Sequence, residues 1–247
     1  MATQVVSQKE QDVLKMLRSI PLGPVIDEMN KMGYHWMLME GVRSRTPGRR
    51  LAGRAVTLRY LPPRPDVHQE VRYGTKDSPE YRAYELCGPG TVLVIDAYGR
   101  IDERGIVGGD VKFHRLKRRG CEGLVTDGSV RDINEMRPYG FAIFTQQTSL
   151  AAGPTIPFAY GVNEVVQCGG VLVRPGDYIV GEDDGVVVIP ASIIEKVVEE
   201  ASEHDRLEKL LKAMMDQGDF SPGQYYPLSE DNRRRLKEAA AKKGMKA

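Results

Sequence analysis

Between Gly108 and Asp132 the chain reads GGDVKFHRLKRRGCEGLVTDGSVRD, and this stretch narrows the fold more than any other. Gly108 and Gly109 interrupt what precedes them, and Asp110 is suited to cap a helix. Val111, Phe113, His114, Leu116 and Lys117 then follow at helical spacing until Gly120 stops the run. Gly123-Leu124-Val125-Thr126 is short and apolar and meets the turn dipeptide Asp127-Gly128, which predicts a buried strand ending in a loop. Arg131 and Asp132 fall just past the strand's carboxyl end, where open α/β sheets commonly bind ligands. The helix start at Gly109 and Asp110 offers backbone N–H groups to an anion. Both ends of this helix-plus-strand unit are expected to converge on one small ligand.

The rest of the chain places strands in the middle and helices around them. Residues 7–19 predict an amphipathic helix with Val13, Leu14 and Leu17 on one stripe, and a short second helix begins near Pro24. LAGRAVTLRY from Leu51, TVLVIDA from Thr91, FAIFTQQT from Phe141 and the run VVQCGGVLVRPGDYIVGEDDGVVVIP are β-rich. The polar, interrupted segment 62–83 is expected to be loop and helix at the surface. A long amphipathic helix is predicted from about Ser192 to Met215, with Ile194, Val197, Val198, Ala201, Leu207, Leu210, Leu211 and Met214 on its apolar side. Residues 1–216 then form a single α/β domain. Residues 217–247 form a C-terminal extension whose basic end, NRRRLKEAAAKKGMKA, predicts a solvated helix or frayed end, with a subunit-packing arm as the alternative.

Composition excludes several classes. The 247 residues carry a formal net charge of +1, and the body holds no long basic stripe, which argues against nucleic acid as a direct partner. Cys87, Cys121 and Cys168 are scattered and odd in number, as reduced thiols of a cytoplasmic protein would be. No apolar run is long enough to span a bilayer, so no membrane partner is expected. His35, His68, His114 and His204 lack the paired spacing of a zinc site, and His114 is read as a packing residue. Glu182-Asp183-Asp184-Gly185 reads as a polar hairpin turn rather than a cation loop. GxSxG, Walker and GxGxxG sequences are absent. Lys112 is read as a solvated helix lysine.

An adjacent Arg-Asp pair is by itself weak evidence, because most such pairs are surface charges. Its setting changes the weight. A guanidinium grips a carboxylate bidentately, and a charge-assisted hydrogen bond of that kind contributes about 1.5–3 kcal/mol. The neighbouring Asp132 would repel the same anion unless it holds a divalent cation that bridges protein and ligand oxygens. A small 2-oxo acid meets both demands, with its carboxylate on Arg131 and the helix N-terminus and its keto oxygen on the cation.

At these residues the chain resembles the RraA-like proteins, which include the 4-hydroxy-4-methyl-2-oxoglutarate and 4-carboxy-4-hydroxy-2-oxoadipate aldolases and the regulators of ribonuclease activity. The aldolase signature is an acid, twenty residues and then Arg-Asp, as in Asp110 and Arg131-Asp132 here. RGCEGLVTDGSVRD is similar to the family's RGVAGVVVDGAVRD, and GRRLAGRAVTLRY, GPGTVLVIDAYG and RPGDYIVGEDDGVVVIP extend the likeness over roughly residues 40 to 190. The resemblance implies an αββα layered sandwich with central mixed β-sheets, of the swivelling β/β/α type, with helical N- and C-terminal extensions. It also implies trimers or hexamers with sites between subunits.

For the site, the resemblance puts Arg131 on the pyruvyl group and Asp132 on a divalent metal, Mg²⁺ or Mn²⁺. It puts the segment Gly109, Asp110, Val111 and Lys112 around the substrate, and Asp110 on a water of the metal. A catalytic acid is implied from the C-terminal helix of an adjacent subunit, with Glu208 the first candidate and Asp205 or Glu203 its rivals. The implied activity is retro-aldol release of pyruvate from a 4-hydroxy-2-oxo acid, decarboxylation of oxaloacetate, or both. A non-catalytic regulator that binds a ribonuclease and a sugar-acid lyase or dehydratase are the alternatives. Val111-Lys112 departs from the small or aliphatic pair common after the acid, and the tail past Gln217 is longer than in compact members, which leaves substrate size and polarity open.

Overall fold

The strand β2 (Leu51–Leu61) is buried along nearly all of its eleven residues, so both of its faces need cover. In this computed structural model, which describes residues 6–67, 69–99, 106–151, 157–218, 220–242 and 244–245, its side chains divide between three cores. Val56, Leu58 and Tyr60 join Leu93, Ile95, Phe113 and Leu124 on one outer side. Leu51 and Ala55 turn inward, toward Val92, Val94, Phe144 and Val188. Ala52 meets Leu14, Val25 and Val197 on the other outer side. His68 lies outside the described residues.

Parallel pairing joins β2 to β3 (Thr91–Asp96), β3 to β5 (Gly123–Val130) and β5 to β6 (Ala142–Thr148). On the opposite side of β2, β10 (Tyr178–Glu182) and β11 (Gly185–Ile189) continue the sheet antiparallel. β1 (Arg43–Ser44) edges β6, β4 (Ile106–Gly108) lies on β5, and β7 (Phe158–Val162) lies on β2. β8 (Val166–Cys168) and β9 (Val171–Val173) form a separate hairpin. The mixed sheet curls over the inner core, because the Phe144 ring of β6 reaches to 2.9 Å from where a Cβ on Gly181 of β10 would stand. Helices α3 (Pro79–Leu86), α4 (Asp110–Arg119) and the short α5 (Ile133–Met136) cover one outer face. Helices α1 (Gln8–Leu17), α2 (Leu22–Lys31) and α6 (Ile194–Asp216) cover the other. This is the αββα sandwich expected, and the near-continuous apolar runs of its strands follow from cover on both faces.

Helix α2 starts at Leu22, two residues before Pro24, and two other helix ends show their local chemistry. Ser7 and Glu10 form a capping box at the start of α1, and Gly120 ends α4 at φ +74°, where a side chain would be strained. Glu182 to Gly185 is the turn of the β10–β11 hairpin. His114 packs edge-on against Tyr139, with ring centroids 5.3 Å apart. Cys87, Cys121 and Cys168 are buried free thiols. Among the described residues no helix is long and apolar enough to cross a membrane.

Three expectations change. β5 does not stop at Thr126: it runs through a register irregularity to Val130, and Asp127 is fully buried in it rather than exposed in a turn. Asp127 is held there by the N–H groups of Ala97 and Gly99 and the Gln167 amide, while burial raises its carboxyl above the ordinary range. Asp110 is not the helix cap. Gly109 takes that position in extended backbone, and Asp110 is the first helical residue. The tail is not a solvated end either: α7 (Glu230–Lys242) buries Leu236 and Ala240 against Leu207, Leu210 and Leu211 of α6.

Because Phe144 has zero exposure and fills the space between facing halves of the sheet, Phe144→Ala should lower stability by about 3–5 kcal/mol through lost burial and the cavity left behind. Equilibrium denaturant unfolding of the two proteins measures it.

Candidate active site

Three backbone features bring the two ends of the α4–β5 unit together. The N–H of Arg131 donates to the Gly108 carbonyl at 3.1 Å, so the chain leaving β5 is tied to the end of β4. Asp132 sits in the left-handed region at φ +60°, a conformation that Asp tolerates better than most residues. The bend returns its carboxylate to α4, where Oδ2 accepts from the Asp110 N–H at 3.3 Å and stands 3.2 Å from Arg131 Nε. Gly109 is required by proximity rather than by its φ. A Cβ there would stand 2.5 Å from Asp132 Oδ2 and 2.7 Å from Arg131 Cγ. A Cβ on Gly108 would meet the Phe113 ring at 2.6 Å.

These groups open onto a cleft of about 180 Å³. Gly109, Val111, Lys112, Arg131 and Asp132 line it, and Asp110 lies immediately behind them. The structure thus brings Gly109, Val111, Lys112, Arg131 and Asp132 to one cleft, while Asp110 is joined to them through its N–H bond to Asp132 and does not line it. Glu208 and its rivals Asp205 and Glu203 stand apart, on α6, and are not among the residues lining the cleft. Glu208 Oε1 is 3.5 Å from His204 Nε2, Asp205 pairs with Lys209 at 2.6 Å, and Glu203 is bonded to Lys237.

The opposite wall comes from a region read as plain surface. Glu80, on the first turn of α3, is nearly covered, with a side chain 12% exposed. Its Oε1 collects three donors: Lys112 Nζ at 2.6 Å, Tyr60 OH at 3.0 Å and Tyr84 OH at 3.1 Å. Burial pushes both phenols well above the usual tyrosine range, and each stays a protonated donor. Lys112 is thus a paired lysine of the cleft wall and not a solvated one, a correction that only tertiary structure supplies. Tyr60 and Glu80 were missed by the sequence reading. The signal available for Glu80 was Ser78-Pro79-Glu80, a helix start with an N-cap serine, a proline and an acid in the first turn.

The carboxylates suit a hard cation. Asp110 Oδ1 is buried without a hydrogen-bond partner, a condition that costs roughly 1–3 kcal/mol and that a cation or an ordered water relieves. Among the described residues no three His, Cys, Asp or Glu side chains cluster as metal ligands. A cation at Asp132 and Asp110 would complete its shell with water and ligand oxygens, as Mg²⁺ commonly does.

With this geometry in view, comparison with known proteins is decisive at the family level. The sequence model described as Aldolase/RraA matches residues 23–188. The chain belongs to the RraA-like family. A relative from Halalkalibacterium halodurans, named "Putative 4-hydroxy-4-methyl-2-oxoglutarate aldolase", is 32% identical over 195 residues, which cover 79% of this chain and 84% of that protein. Among solved structures, Streptomyces coelicolor RraAS2, described as an unusual member of the RNase ES inhibitor RraA protein family, is 28% identical with a TM-score of 0.71 and covers 81% of this chain and 96% of its own. An uncharacterized protein from Pseudomonas syringae pv. tomato, 24% identical with a TM-score of 0.71 over 85% and 94% of the two chains, shares the RraA-like fold.

Gly109→Ala should push the Asp132 carboxylate and the Arg131 side chain away from the start of α4. Oxalate, a small dicarboxylate probe for the anion site, should bind the variant at least about tenfold more weakly by titration calorimetry, the equivalent of one charge-assisted hydrogen bond.

Proposed function

We propose that this RraA-like protein is a divalent-metal-dependent lyase that releases pyruvate from a 4-hydroxy-2-oxo acid, and that it decarboxylates oxaloacetate through the same enolate. The observation that carries the reading is the meeting of Arg131, Asp132 and the N-terminus of α4 in one cleft. The aldolase name of the Halalkalibacterium relative supports it.

Asp132 would hold the metal, with Asp110 behind it. A bound Mg²⁺ or Mn²⁺ would supply Lewis-acid stabilisation of negative charge on the keto oxygen. Arg131 and the amides of the first turn of α4 bind the substrate carboxylate and hold the C2–C3 unit in place, so that charge developing at C2 meets donors already oriented. A water held by the Asp110 carboxylate takes the 4-hydroxyl proton as the O–H electron pair forms a C4 carbonyl. The C3–C4 pair then moves into the enolate of pyruvate. The same water completes the turnover by returning that proton to C3. In oxaloacetate the C3–C4 bond breaks with loss of CO₂ and leaves the same enolate, so the decarboxylation needs no further residue.

The acid that handles the leaving group is proposed to come from α6 of a neighbouring copy, Glu208 first, in a trimer or hexamer. Val111 and Leu150, 87% and 88% exposed in the single chain, are the kind of large apolar side chains a neighbouring copy would cover. A ribonuclease-binding regulator is the second reading, favoured by the description of the Streptomyces relative.

The experiment is pyruvate release from 4-hydroxy-4-methyl-2-oxoglutarate and oxaloacetate with Mg²⁺, after chelation, and with Arg131→Ala. Activity should disappear with chelation. The Arg131→Ala variant should lose about 2–4 kcal/mol of transition-state stabilisation, roughly two to three orders of magnitude in kcat/KM. Full activity in chelator, or an unchanged rate in the variant, would remove the proposed chemistry. A pure protein inert on every oxo acid that retains a ribonuclease in a pull-down would install the second reading.

A further inference from the structure

The cleft has a second polar pole that the reaction as derived does not use. Lys112 Nζ bonds Glu80 Oε1 at 2.6 Å, and Tyr60 and Tyr84 donate to the same oxygen. Glu80, Tyr60 and Lys112 all line the cleft that contains Arg131 and Asp132. The pair is therefore held in place before any ligand arrives: Glu80 is fixed by two buried phenols, and Lys112, 33% exposed, still turns toward the open space. An ammonium has three donors and Glu80 occupies one of them. A carboxylate has about four acceptor positions, and Glu80 Oε2 lies beside the oxygen that the three donors share.

The charge balance of the cleft then bears on its ligand. Among the described residues that line it, the cations are Arg131 and Lys112, and each has a carboxylate of its own, Asp132 and Glu80. A second carboxylate on the substrate would meet Lys112 only in competition with Glu80 and against its repulsion. A hydroxyl is both donor and acceptor, and it satisfies an ammonium and an adjacent carboxylate together. The walls between the poles, Val71, Ala151 and Ala159 among them, offer no charge to a carboxylate either.

We infer that the Lys112–Glu80 pair is a specificity subsite for a hydroxyl on the part of the substrate remote from its 2-oxo acid head. It selects 4-hydroxy-2-oxo acids with an uncharged, hydroxylated tail over 2-oxo dicarboxylates. The inference rests on the lyase reading above and names its substrate class.

The test is steady-state pyruvate release by the full-length, Mg²⁺-loaded enzyme from two substrates: the aldol adduct of pyruvate with glyceraldehyde, and 4-hydroxy-4-methyl-2-oxoglutarate. Wild type should favour the glyceraldehyde adduct by at least about tenfold in kcat/KM. Lys112→Met, which keeps the length of the side chain at a half-exposed helix position, should raise KM for that adduct about tenfold while kcat changes less. Glu80→Gln removes the repulsion and should shift the preference toward the dicarboxylate. A wild type that prefers the dicarboxylate or treats both alike, or a ratio that neither variant moves, overturns the subsite and leaves the lyase reading intact. An equal loss of kcat on both substrates in Lys112→Met also overturns it, since that is what a purely structural ion pair would give. Release of pyruvate from neither substrate by wild type takes down both.

Discussion

The site depends on the closeness with which the backbone of Gly108 and Gly109 passes Arg131 and Asp132. No long side chain has to reach across the fold. The main chain after β5 is tied by a hydrogen bond to the main chain before α4, and the missing Cβ atoms leave the space that Asp132 and the Phe113 ring occupy. Phe113 is fully buried in the outer core, so the position of the helix start is set by packing as well as by hydrogen bonding. A helix N-terminus, a guanidinium and a carboxylate are thereby fixed relative to one another by the same contacts that make the fold. A rigid scaffold of this kind is what preorganised charge stabilisation requires.

The same closeness explains the electrostatic state of the site. Two carboxylates and one guanidinium are gathered where a single acid would pair cleanly. Asp132 uses one oxygen for both Arg131 and the Asp110 amide, and the Asp110 carboxylate keeps a buried oxygen without a partner. Such an arrangement is unfavourable for stability taken alone. A cation joining the acids would offset that cost, and the left-handed backbone at Asp132 has the same character: local strain of about 1–3 kcal/mol concentrated where chemistry is proposed.

The α4–β5 unit was legible in the sequence because its signals are local. Glycine stops, helical spacing and a short apolar run lie within twenty-five residues, and the structure follows them to the placement of Arg131 and Asp132. The exceptions have a common cause. Asp127-Gly128 carries the composition of a turn and falls at the register irregularity of β5, yet pairing with β4 and β6 resumes at Ser129 and Val130 and carries the strand on. Tertiary pairing thus overrode turn chemistry. Glu80 was illegible as a site residue because its contact with Lys112 spans 32 positions and exists only once the sheet has placed α3 beside α4. The docking of α7 was hidden for another reason: its buried face rests on Leu236 and Ala240 within a highly charged helix, too few apolar residues to outweigh the charge pattern around them.

Those charges of α7 also sort the acids of α6. Glu203 is bonded to Lys237 of α7, and that bond holds its carboxyl below the ordinary range, so it is already engaged as an anchor of the tail. Asp205 is similarly engaged with Lys209. Glu208 has looser ties: the 3.5 Å approach to His204 Nε2, too long for a strong bond, and Tyr226, whose hydroxyl is pushed up by burial and then by the Glu208 charge. His204 is meanwhile fixed through its other nitrogen, since Nδ1 lies 2.6 Å from Glu28, a carboxylate that Lys31 and Arg233 also hold. The knot of Glu28, His204 and Arg233 thus secures α6 between α2 and α7 without drawing Glu208 into it. Of the three acids, Glu208 is the least tightly engaged, while the helix that carries it stays clamped at Glu28, His204 and Arg233.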